Sequence, residues 1–522
     1  MIVEILVFVL TTLVVYFIYI HKRIHKNFKE RDVRYNPGVP IFGNVLKSTF
    51  VIKHIVEDID SIYKEFPNEK YVGYIESTTP IILIRDPELI KHITVKDFDH
   101  FVNHKMFVPE DIEPLFGDSL LLMKDDKWRS MRATLSPAFT ASKMRQMLPF
   151  MTEISDNIVQ YLRDHIAEDI DVYDVIRRYT NDVIASCAFG YQVNSLKDKD
   201  NEFYTMGQAL FNMNTWQRLK LFFVMHIPKV ARLLGFNVFS GKCSGFFENL
   251  VKTTMEHREK HNIERPDMIQ LLLEASKGNL KTENVDIKDD IVVEAEKLKQ
   301  HTDVKQWSLK ELSGQVFLFF VAGFDTSATA LVMCVHELAI NPTIQENLYE
   351  EIKEFENKNS SLIFENMNEL KYLDSVMNET FRKWSPGLVI DRVCTKSYEL
   401  PPPHEGGKPY KLQPGDVVYN VMNSIHMDPK YYQDPEVFDP DRFSDERKHE
   451  ITPFTFMPFG TGPRSCIGAR FALMELKVLL YYLILNFKIL KCKKTVDPII
   501  LKPEDFSIRA LGGTWVRLEK RS

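Results

Sequence analysis

FGTGPRSCIG, at residues 459–468, places a single cysteine in a turn that is bracketed by glycines. Cys466 stands two residues after Arg464, and a helix-forming run, residues 469–480, follows at once. Backbone N–H groups at the start of a helix, together with the helix dipole, stabilise negative charge on a cysteine sulfur. The glycines allow the backbone to approach a flat cofactor, and Arg464 can neutralise a carboxylate of that cofactor. The turn therefore indicates a thiolate metal ligand, with an ordinary buried cysteine as the alternative.

The pattern F-x-x-G-x-R-x-C-x-G in this turn resembles the haem-binding loop of the cytochrome P450 family. The resemblance implies that the protein binds haem b (iron protoporphyrin IX), that Cys466 is the axial thiolate ligand of the iron, and that Phe459 and Arg464 border the haem. Further stretches match the family in its order along nearly the whole chain. The implied fold class is α+β, mainly α with small β-sheets: the cytochrome P450 fold.

Other segments resemble the family's contacts to the haem propionates. W-x-x-x-R at residues 128–132 places Trp128 and Arg132 on one helix face, and the resemblance makes both of them propionate contacts. Arg392 and His104 stand where the family also carries such contacts. Burial of a dianionic cofactor edge demands several cations or N–H donors. A core tryptophan beside a solvated arginine is the alternative interpretation of residues 128–132.

AGFDTS, at residues 322–327, interrupts a long apolar helical run. Glycine costs about 1 kcal/mol relative to alanine in a helix, and threonine can bond back to the carbonyl four residues earlier and bend the helix. The stretch resembles the oxygen-activating motif of cytochromes P450, in which the helix opens a notch. By that resemblance Thr326 hydrogen-bonds dioxygen and an ordered water, and Asp325 relays protons from solvent. A packing glycine beside a solvated aspartate is the alternative.

E-x-x-R at residues 379–382 places Glu379 and Arg382 on one helix face. Alone, such a pair is most often a surface ion pair worth under about 1 kcal/mol. It resembles the family's buried pair, and Arg442 matches the arginine that joins this pair. We therefore expect the three residues to lock the segment before the cysteine turn, which is a structural role.

The composition excludes several classes of protein. The chain has 522 residues, 44% apolar residues, 26% charged residues and a formal net charge of −6, and no basic tract interleaved with aromatic residues suggests nucleic-acid binding. Six cysteines are scattered without C-x-x-C spacing. That usage argues against a zinc site or a dense disulfide scaffold and is typical of a reducing compartment.

The N-terminus predicts a membrane anchor. Residues 5–20 carry no charged side chain, and a basic cluster follows at residues 21–26. Sixteen helical residues span about 24 Å, slightly less than the ~27 Å of an endoplasmic-reticulum bilayer, and flanking Lys22 and Arg23 can snorkel to the surface. The order of charges favours an uncleaved single-pass anchor with the rest of the chain in the cytosol. A cleaved signal peptide is the alternative.

The predicted organisation has three parts. Residues 1–26 form the anchor with its basic stop, residues 27–44 a linker and proline hinge, and residues 45–522 a single haem-thiolate monooxygenase domain. The apolar stretch at about 221–239, by resemblance, lies between lid helices and makes a second, peripheral contact with membrane lipid. Ordinary core packing is the alternative for that stretch.

Local patterns predict several elements of secondary structure. Residues 71–85 indicate a strand pair, and a capping box at Ser308 and Glu311 opens a helix that runs to about residue 341. We expect residues 280–306 to form an exposed loop with a helical piece. Strand and turn patterns occur over residues 395–425 and 486–520.

The implied function is haem-thiolate monooxygenation of hydrophobic small molecules, with one atom of dioxygen inserted into the substrate. The chain is most similar in sequence to the insect microsomal members of family nine, and it is related to family six. This similarity is carried by residues 454–464, 471–477 and 135–140. Electrons come from NADPH through a separate reductase, NADPH–cytochrome P450 reductase, with cytochrome b5 as a further candidate partner. A role in detoxifying xenobiotics, including insecticides, is favoured.

Other functions remain open from the sequence. The first alternative is an endogenous hormone or fatty-acid hydroxylase, followed by a peroxide isomerase and a non-enzymatic haem protein. By family position, the predicted pocket contributors are Phe107, Phe320, Ala322, Val389 and Leu511. The predicted cations of the reductase-docking face are Lys127, Arg129, Arg470 and Lys477.

Overall fold

The computed structural model describes residues 2–166, 168–265, 267–276 and 307–521. The loop predicted over residues 280–306 lies outside the described residues. The helices are α1 (Ile2–Glu30), α2 (Leu46–Thr49), α3 (Ile55–Glu65), α4 (Pro87–Lys91), α5 (Pro114–Gly117), α6 (Asp125–Leu135), α7 (Ala141–Asp164), α8 (Val172–Ile184), α9 (Glu202–Phe211), α10 (Thr215–His226), α11 (Pro228–Leu233), α12 (Gly241–His261), α13 (Met268–Ser276), α14 (Leu309–Ile340), α15 (Pro342–Lys358), α16 (Lys371–Lys383), α17 (Met422–His426) and α18 (Ala469–Asn486). The strands are β1 (Tyr71–Glu76), β2 (Thr79–Ile84), β3 (Asp169–Asp171), β4 (Ile390–Val393), β5 (Tyr398–Leu400), β6 (Tyr410–Leu412), β7 (Val417–Asn420), β8 (Phe487–Lys491) and β9 (Trp515–Lys520).

The long central helix, α14, organises the helical part of the molecule. Its predicted capping box is present, because the Glu311 N–H donates to the Ser308 side chain and the Ser308 N–H donates to the Glu311 carboxylate at 3.0 Å. α14 packs closely on α8: a side chain at Gly323 would bring its Cβ to 2.8 Å from Cδ1 of Ile184. The helix is apolar on most sides because it is surrounded by other helices.

α14 also has the length and the apolar composition of a membrane-spanning helix. Among the described residues it is the one helix that is long and apolar enough to cross a membrane, and 72% of its most apolar window is buried inside the protein. Packing in the core therefore accounts for its composition.

The largest sheet joins distant parts of the chain in the order β1-β2-β7-β4. β1 and β2 are the antiparallel pair predicted over residues 71–85, β7 lies parallel to β2, and β4 lies antiparallel to β7. The smaller sheets have the orders β3-β9-β8 and β5-β6. Because β4 carries Asp391 and Arg392, the large sheet fixes the position of both side chains.

The N-terminal region is attached to this sheet. α1 continues to Glu30, so the first residues of the predicted linker are helical. Phe28 is fully buried in the apolar cluster around β1 and β2. Residues 35–43 then run beside β1, with bridges from Tyr35 to Gly73 and from Gly43 to Glu76. These contacts hold the proline-rich segment in one place relative to the sheet.

Candidate active site

A cavity of about 450 Å³ opens between α14 and the cysteine turn. Most of its lining is apolar, and the basic side chains in it are His104, Arg132 and Arg464. Of the predicted site residues, those that line the cavity are Cys466, Phe459, Arg464, Trp128, Arg132, His104 and Thr326. Arg392 is buried next to the lining residue Asp391, and Asp325 does not line the cavity.

The cysteine turn is held by its own backbone. The N–H of Cys466 donates to the carbonyl of Phe459 at 2.8 Å, and the N–H of Ser465 donates to the carbonyl of Gly462 at 2.9 Å. Gly462 has a φ of +72°, and a Cβ there would lie 1.9 Å from the carbonyl oxygen of Thr94, so only glycine fits. α18 begins directly after the turn at Ala469. The cysteine is thus fixed at the cavity wall.

The acidity of Cys466 reflects two opposing effects. Burial raises the pKa of the Cys466 thiol, and the backbone N–H of Gly468 and the charge of Arg132 only partly offset that rise. The helix-start effect predicted from the sequence is therefore present but weaker than desolvation. A bound metal cation would supply the missing stabilisation, since a coordinating thiol is deprotonated outright.

Arg464 is tied to the segment before α6. It donates from Nε to the Val102 carbonyl at 2.9 Å, from Nη1 to the Leu120 carbonyl at 3.1 Å and from Nη2 to the Met123 carbonyl at 2.7 Å. Its guanidinium carbon lies 4.0 Å from the ring centroid of Trp128, which is a cation–π contact. Arg464 thus fastens the cysteine turn to the segment of residues 102–123 while it borders the cavity.

Arg392 has unused hydrogen-bonding capacity. It is fully buried, and its Nη1 donates to the Asp391 carbonyl at 2.7 Å, but Nε and Nη2 have no hydrogen-bond partner among the described residues. Burial lowers the pKa of Arg392 to about 10, despite the nearby Asp391 carboxylate. Donors left unpaired in the interior are costly, so this position calls for an anion.

Positive charge is concentrated beside Arg392. Burial lowers the pKa of Arg464 well below its usual value, and the charges of Arg392 and Arg132 lower it further. His104 Nδ1 lies 2.9 Å from Asp391 Oδ1, but burial still lowers the pKa of His104. A dianionic cofactor edge would relieve this repulsion and occupy the unpaired donors. The residues present therefore fit a haem with its propionates at this side and its iron at Cys466.

One face of α14 forms the opposite wall. Ala322, Thr326 and Ala330 line the cavity together with Gly323 and Ser327. The Thr326 hydroxyl donates to the Ala322 carbonyl at 2.6 Å, as the sequence predicts for threonine in a helix. α14 is helical throughout this motif, so the structure has a continuous helix where a notch was expected. The Thr326 oxygen still presents its lone pairs to the cavity.

Asp325 points to the other side of α14. It accepts hydrogen bonds from Arg509 Nη2 at 2.8 Å, from the Tyr173 hydroxyl at 3.1 Å and from the Ser507 hydroxyl. Arg177 Nη2 lies 3.8 Å away. The structure therefore does not bring Asp325 and Thr326 together, and a relay through Asp325 would require it to release these partners.

The pocket contributors named from the sequence were only partly right. Ala322 and Val389 line the cavity, whereas Phe107, Phe320 and Leu511 do not. Phe320 is fully buried against other helices and Leu511 is 46% exposed. The spacing of Ala322, Thr326 and Ala330, four residues apart, marks the cavity face of α14 and could have excluded Phe320.

The E-x-x-R residues form the predicted buried network. Arg382 pairs with Glu379 through two hydrogen bonds, Nε–Oε2 at 2.7 Å and Nη2–Oε1 at 2.8 Å, and both side chains are fully buried. Arg442 Nε lies 3.5 Å from Glu379, and the N–H of Asp439 donates to Glu379 at 2.9 Å. The network thus joins α16 to the segment before the cysteine turn, which confirms its structural role.

These features define a haem-thiolate protein: a helix-rich fold with small sheets, a cysteine in a glycine turn and a cationic pocket beside it. The family model for cytochrome P450 matches residues 33–516. The chain belongs to the cytochrome P450 family, and it is a cytochrome P450 monooxygenase. Membership implies a haem whose iron is ligated by a cysteine thiolate.

Named relatives place the chain among insect members of that family. It is 39% identical over 509 residues to Probable cytochrome P450 9f2 of Drosophila melanogaster, covering 95% of each chain. It is 38% identical over 516 residues to Cytochrome P450 9e2 of Blattella germanica, covering 95% of this chain and 94% of the relative. Probable cytochrome P450 6a13 of Drosophila melanogaster is 36% identical over 460 residues, covering 88% and 87%. The predicted similarity to family nine, with family six related, is confirmed.

Proposed function

We propose that this monooxygenase oxidises uncharged, hydrophobic small molecules, xenobiotics such as insecticides among them, with electrons from NADPH delivered by a separate reductase. The observation that carries the proposal is the apolar lining of the cavity between α14 and Cys466, which the substrate would share with the haem. Apolar side chains, including Leu121, Phe319 and Val389, line most of it. Such a lining binds apolar ligands without demanding one particular polar group.

The roles of the site residues follow from their positions. In this proposal Cys466 would ligate the haem iron, Phe459 would border the ring, and the propionates would contact Trp128, Arg132, Arg392, Arg464 and His104. Haem supplies dioxygen activation once it is bound. Thr326 accepts and donates hydrogen bonds at the cavity wall, and Asp325 passes protons toward it from the other face of α14. The ion pair between Asp325 and Arg509 makes that transfer a gated step, since the carboxylate must first leave its partners.

The alternative function, hydroxylation of endogenous hormones or fatty acids, would use the same cavity. A fatty acid brings a carboxylate into the site. Arg464 already donates to backbone carbonyls, and Arg392 serves the propionates in this proposal. A buried carboxylate without a cationic partner is costly. Uncharged substrates should therefore be turned over faster than fatty acids of the same length.

In this proposal the electron-donating partner proteins dock on the face of the protein that carries the cysteine turn. Lys127 lies 2.9 Å from Asp118, and Arg129 lies 2.8 Å from Asp99, so both cations are held at the surface by acidic neighbours. An acidic surface of NADPH–cytochrome P450 reductase, or of cytochrome b5, can compete for them. Lys477 is buried against Asp374, at 2.6 Å, and is removed from the docking face predicted from the sequence.

Residues 1–26 anchor the protein in the endoplasmic-reticulum membrane in this proposal, residues 27–44 connect the anchor, and residues 45–522 work in the cytosol. α1 provides the continuous helix that an anchor requires, although α14 is the one helix among the described residues that has the length and hydropathy of a membrane span. Exposed apolar side chains on and after α10 and α11 support a second contact through about residues 221–239. Leu233 is 84% exposed and Leu234 is 55% exposed. Together they provide an apolar tip that an interface can cover.

The first experiment is the absorption spectrum of the reduced, carbon-monoxide-bound protein and its Cys466→Ala variant. We expect the red-shifted Soret band of a thiolate-ligated haem in the natural protein and its absence in the variant. Cys492→Ala is the matched control, because Cys492 lies outside the cavity. A thiolate band that persists in Cys466→Ala would contradict the ligand assignment.

The second experiment reconstitutes the purified protein with reductase and NADPH. Oxidation of uncharged apolar compounds that depends on both components supports the proposal. Turnover confined to fatty acids would replace it with the endogenous alternative. Conversion of peroxides without NADPH would instead indicate an isomerase.

A further inference from the structure

Two histidines stand one helical turn apart where α1 leaves the predicted anchor. His21 and His25 have the spacing i, i+4, so their rings lie on one face of the helix. Their Nε2 atoms are 2.8 Å apart, and their ring centroids are 4.1 Å apart. Both side chains are half-buried, so ions from solvent can reach them. Because imidazole nitrogen is the commonest metal ligand in proteins, the pair presents two ligand atoms to one point.

Tyr35 orients one of the two rings. Its hydroxyl lies 3.0 Å from Nδ1 of His25, and the two rings meet edge to face at a centroid distance of 5.2 Å. When His25 donates its Nδ1–H to this oxygen, the lone pair stays on Nε2, the atom that faces His21. Histidines that ligate metals almost always have such a partner on the other ring nitrogen. Tyr35 also bridges to Gly73 on β1, so it connects the histidine pair to the large sheet.

The spacing of the two nitrogens is close to what a tetrahedral metal ion requires. With bonds of about 2.0–2.1 Å and a tetrahedral angle, two histidine nitrogens on one zinc ion lie about 3.3 Å apart. The 2.8 Å between the Nε2 atoms must therefore grow by about 0.5 Å, and small rotations about the broad χ2 torsions of the two rings supply that change. Burial lowers the pKa of His21 and of His25, which favours the neutral form that binds metals.

Charged neighbours determine the kind of site. Lys22, Lys26 and Lys29 lie on the same surface as the pair, together with Glu30, which is 3.6 Å from Lys26. Within the described part of the chain, no three His, Cys, Asp or Glu side chains are grouped so that they could share one ion. The protein would thus supply two ligands. The lysines favour anions, such as hydroxide or phosphate, in the remaining coordination positions.

We propose that His21 and His25 bind one divalent transition-metal ion of the zinc class, and that the bound ion fastens the end of α1 to the large sheet through Tyr35. The ion replaces the hydrogen bond between the two Nε2 atoms, and the proton of that bond moves to Nδ1 of His21, which has no hydrogen-bond partner among the described residues. Two bonds to one ion close a turn of α1, so this turn resists unwinding. This metal site is separate from the haem and from the oxidation of substrates.

Competition between the full-length holoenzyme, in detergent, and a chromophoric zinc chelator tests the site with Zn²⁺ alone. We expect His21→Gln and His25→Gln each to bind one equivalent fewer than the natural protein. Tyr35→Phe keeps both ligands but loses the partner of Nδ1, so its affinity should fall about tenfold or more. His257→Gln is the matched control, because His257 and His261 form a second i, i+4 pair, on α12, with ring centroids 4.3 Å apart. Zinc binding that is equal in the natural protein and both anchor-side variants would overturn the proposal, and so would a loss confined to His257→Gln.

Limited digestion with trypsin tests the fastening of α1. Lys22, Arg23 and Lys26 are exposed on the turn that carries the histidine pair. Zinc should slow cleavage at these residues in the natural protein but not in His21→Gln, and it should leave cleavage at the exposed Lys493 unchanged in both. The haem content of each variant shows that it is folded. Zinc that binds without slowing this cleavage would refute the fastening of α1.

Discussion

Replacement of Arg392 by leucine should have opposite effects on the haem-free and haem-bound forms. In the haem-free protein, the depression of the Arg392 pKa to about 10 corresponds to a cost of about 3 kcal/mol for keeping the charge buried. The hydrogen bond from Nη1 to the Asp391 carbonyl returns about 1 kcal/mol. We therefore expect haem-free Arg392→Leu to be more stable than the natural protein by about 2 kcal/mol.

The same replacement should weaken haem retention. The two unpaired atoms, Nε and Nη2, are the donors that a propionate would use. A hydrogen bond to a charged group contributes about 1.5–3 kcal/mol, so haem loss should be about 10- to 100-fold faster in Arg392→Leu. Urea unfolding measures the stability of the haem-free form, and transfer of haem from the holoenzyme to an excess of apomyoglobin measures haem loss.

Arg517→Leu serves as the control for both measurements, because Arg517 has a side chain that is 52% exposed and pairs with Asp169 far from the cavity. It should change neither value appreciably. The reasoning would be refuted if Arg392→Leu lowered the stability of the haem-free protein and left haem loss unchanged. That result would mean that Arg392 serves the fold and does not face the cofactor.

Three further predictions concern the turn, the cavity wall and the membrane. Gly462→Ala should sharply reduce haem incorporation, because the new Cβ would collide with the carbonyl oxygen of Thr94. Gly406→Ala is the control: Gly406 has a φ of +76° but open space around it, so this variant should lose only about 1 kcal/mol of folding stability. The haem content per protein molecule distinguishes the two variants. Thr326→Ala should keep haem and substrate binding but raise peroxide release, and coupling equal to that of Thr329→Ala would remove Thr326 from the mechanism. Deletion of residues 2–26 should lower membrane association without abolishing it, as flotation with vesicles would show. Complete release into detergent-free buffer would exclude the contact through residues 221–239.

The sequence alone was sufficient to predict features that depend on residues close together in the chain. The cysteine turn, the capping box at Ser308 and the E-x-x-R pair are local patterns, and their geometry follows from backbone spacing alone. The direction of a side chain across the fold is different, because it depends on which neighbours surround a helix. Asp325 belongs to a motif that was expected at the cavity. It lies on the other face of α14, where it pairs with Arg177 and Arg509, which are distant in sequence.

Glu475, a residue of α18 that is only 1% exposed, shows the same limit from the opposite side. In the run Met474-Glu475-Leu476-Lys477 it resembles an ordinary charged position on a helix surface. Its burial arises because α7, α14 and α15 pack around α18, and no local sequence pattern indicates that packing. Arg464 lines the cavity, but its hydrogen bonds to four backbone carbonyls depend on the path of residues 102–123, which the sequence does not reveal.

The hydrogen bonds of Arg464 have a consequence for how the protein can diversify. The hydrogen bonds of Arg464 all go to main-chain oxygens, at Val102, Leu120, Leu121 and Met123, and every amino acid offers the same oxygen. Leu120 and its neighbour Leu121 also line the cavity with their side chains. New side chains at these positions can therefore reshape the ligand pocket while the clamp on the cysteine turn stays intact. Selection for new substrates can act on one wall of the pocket without a penalty in cofactor binding.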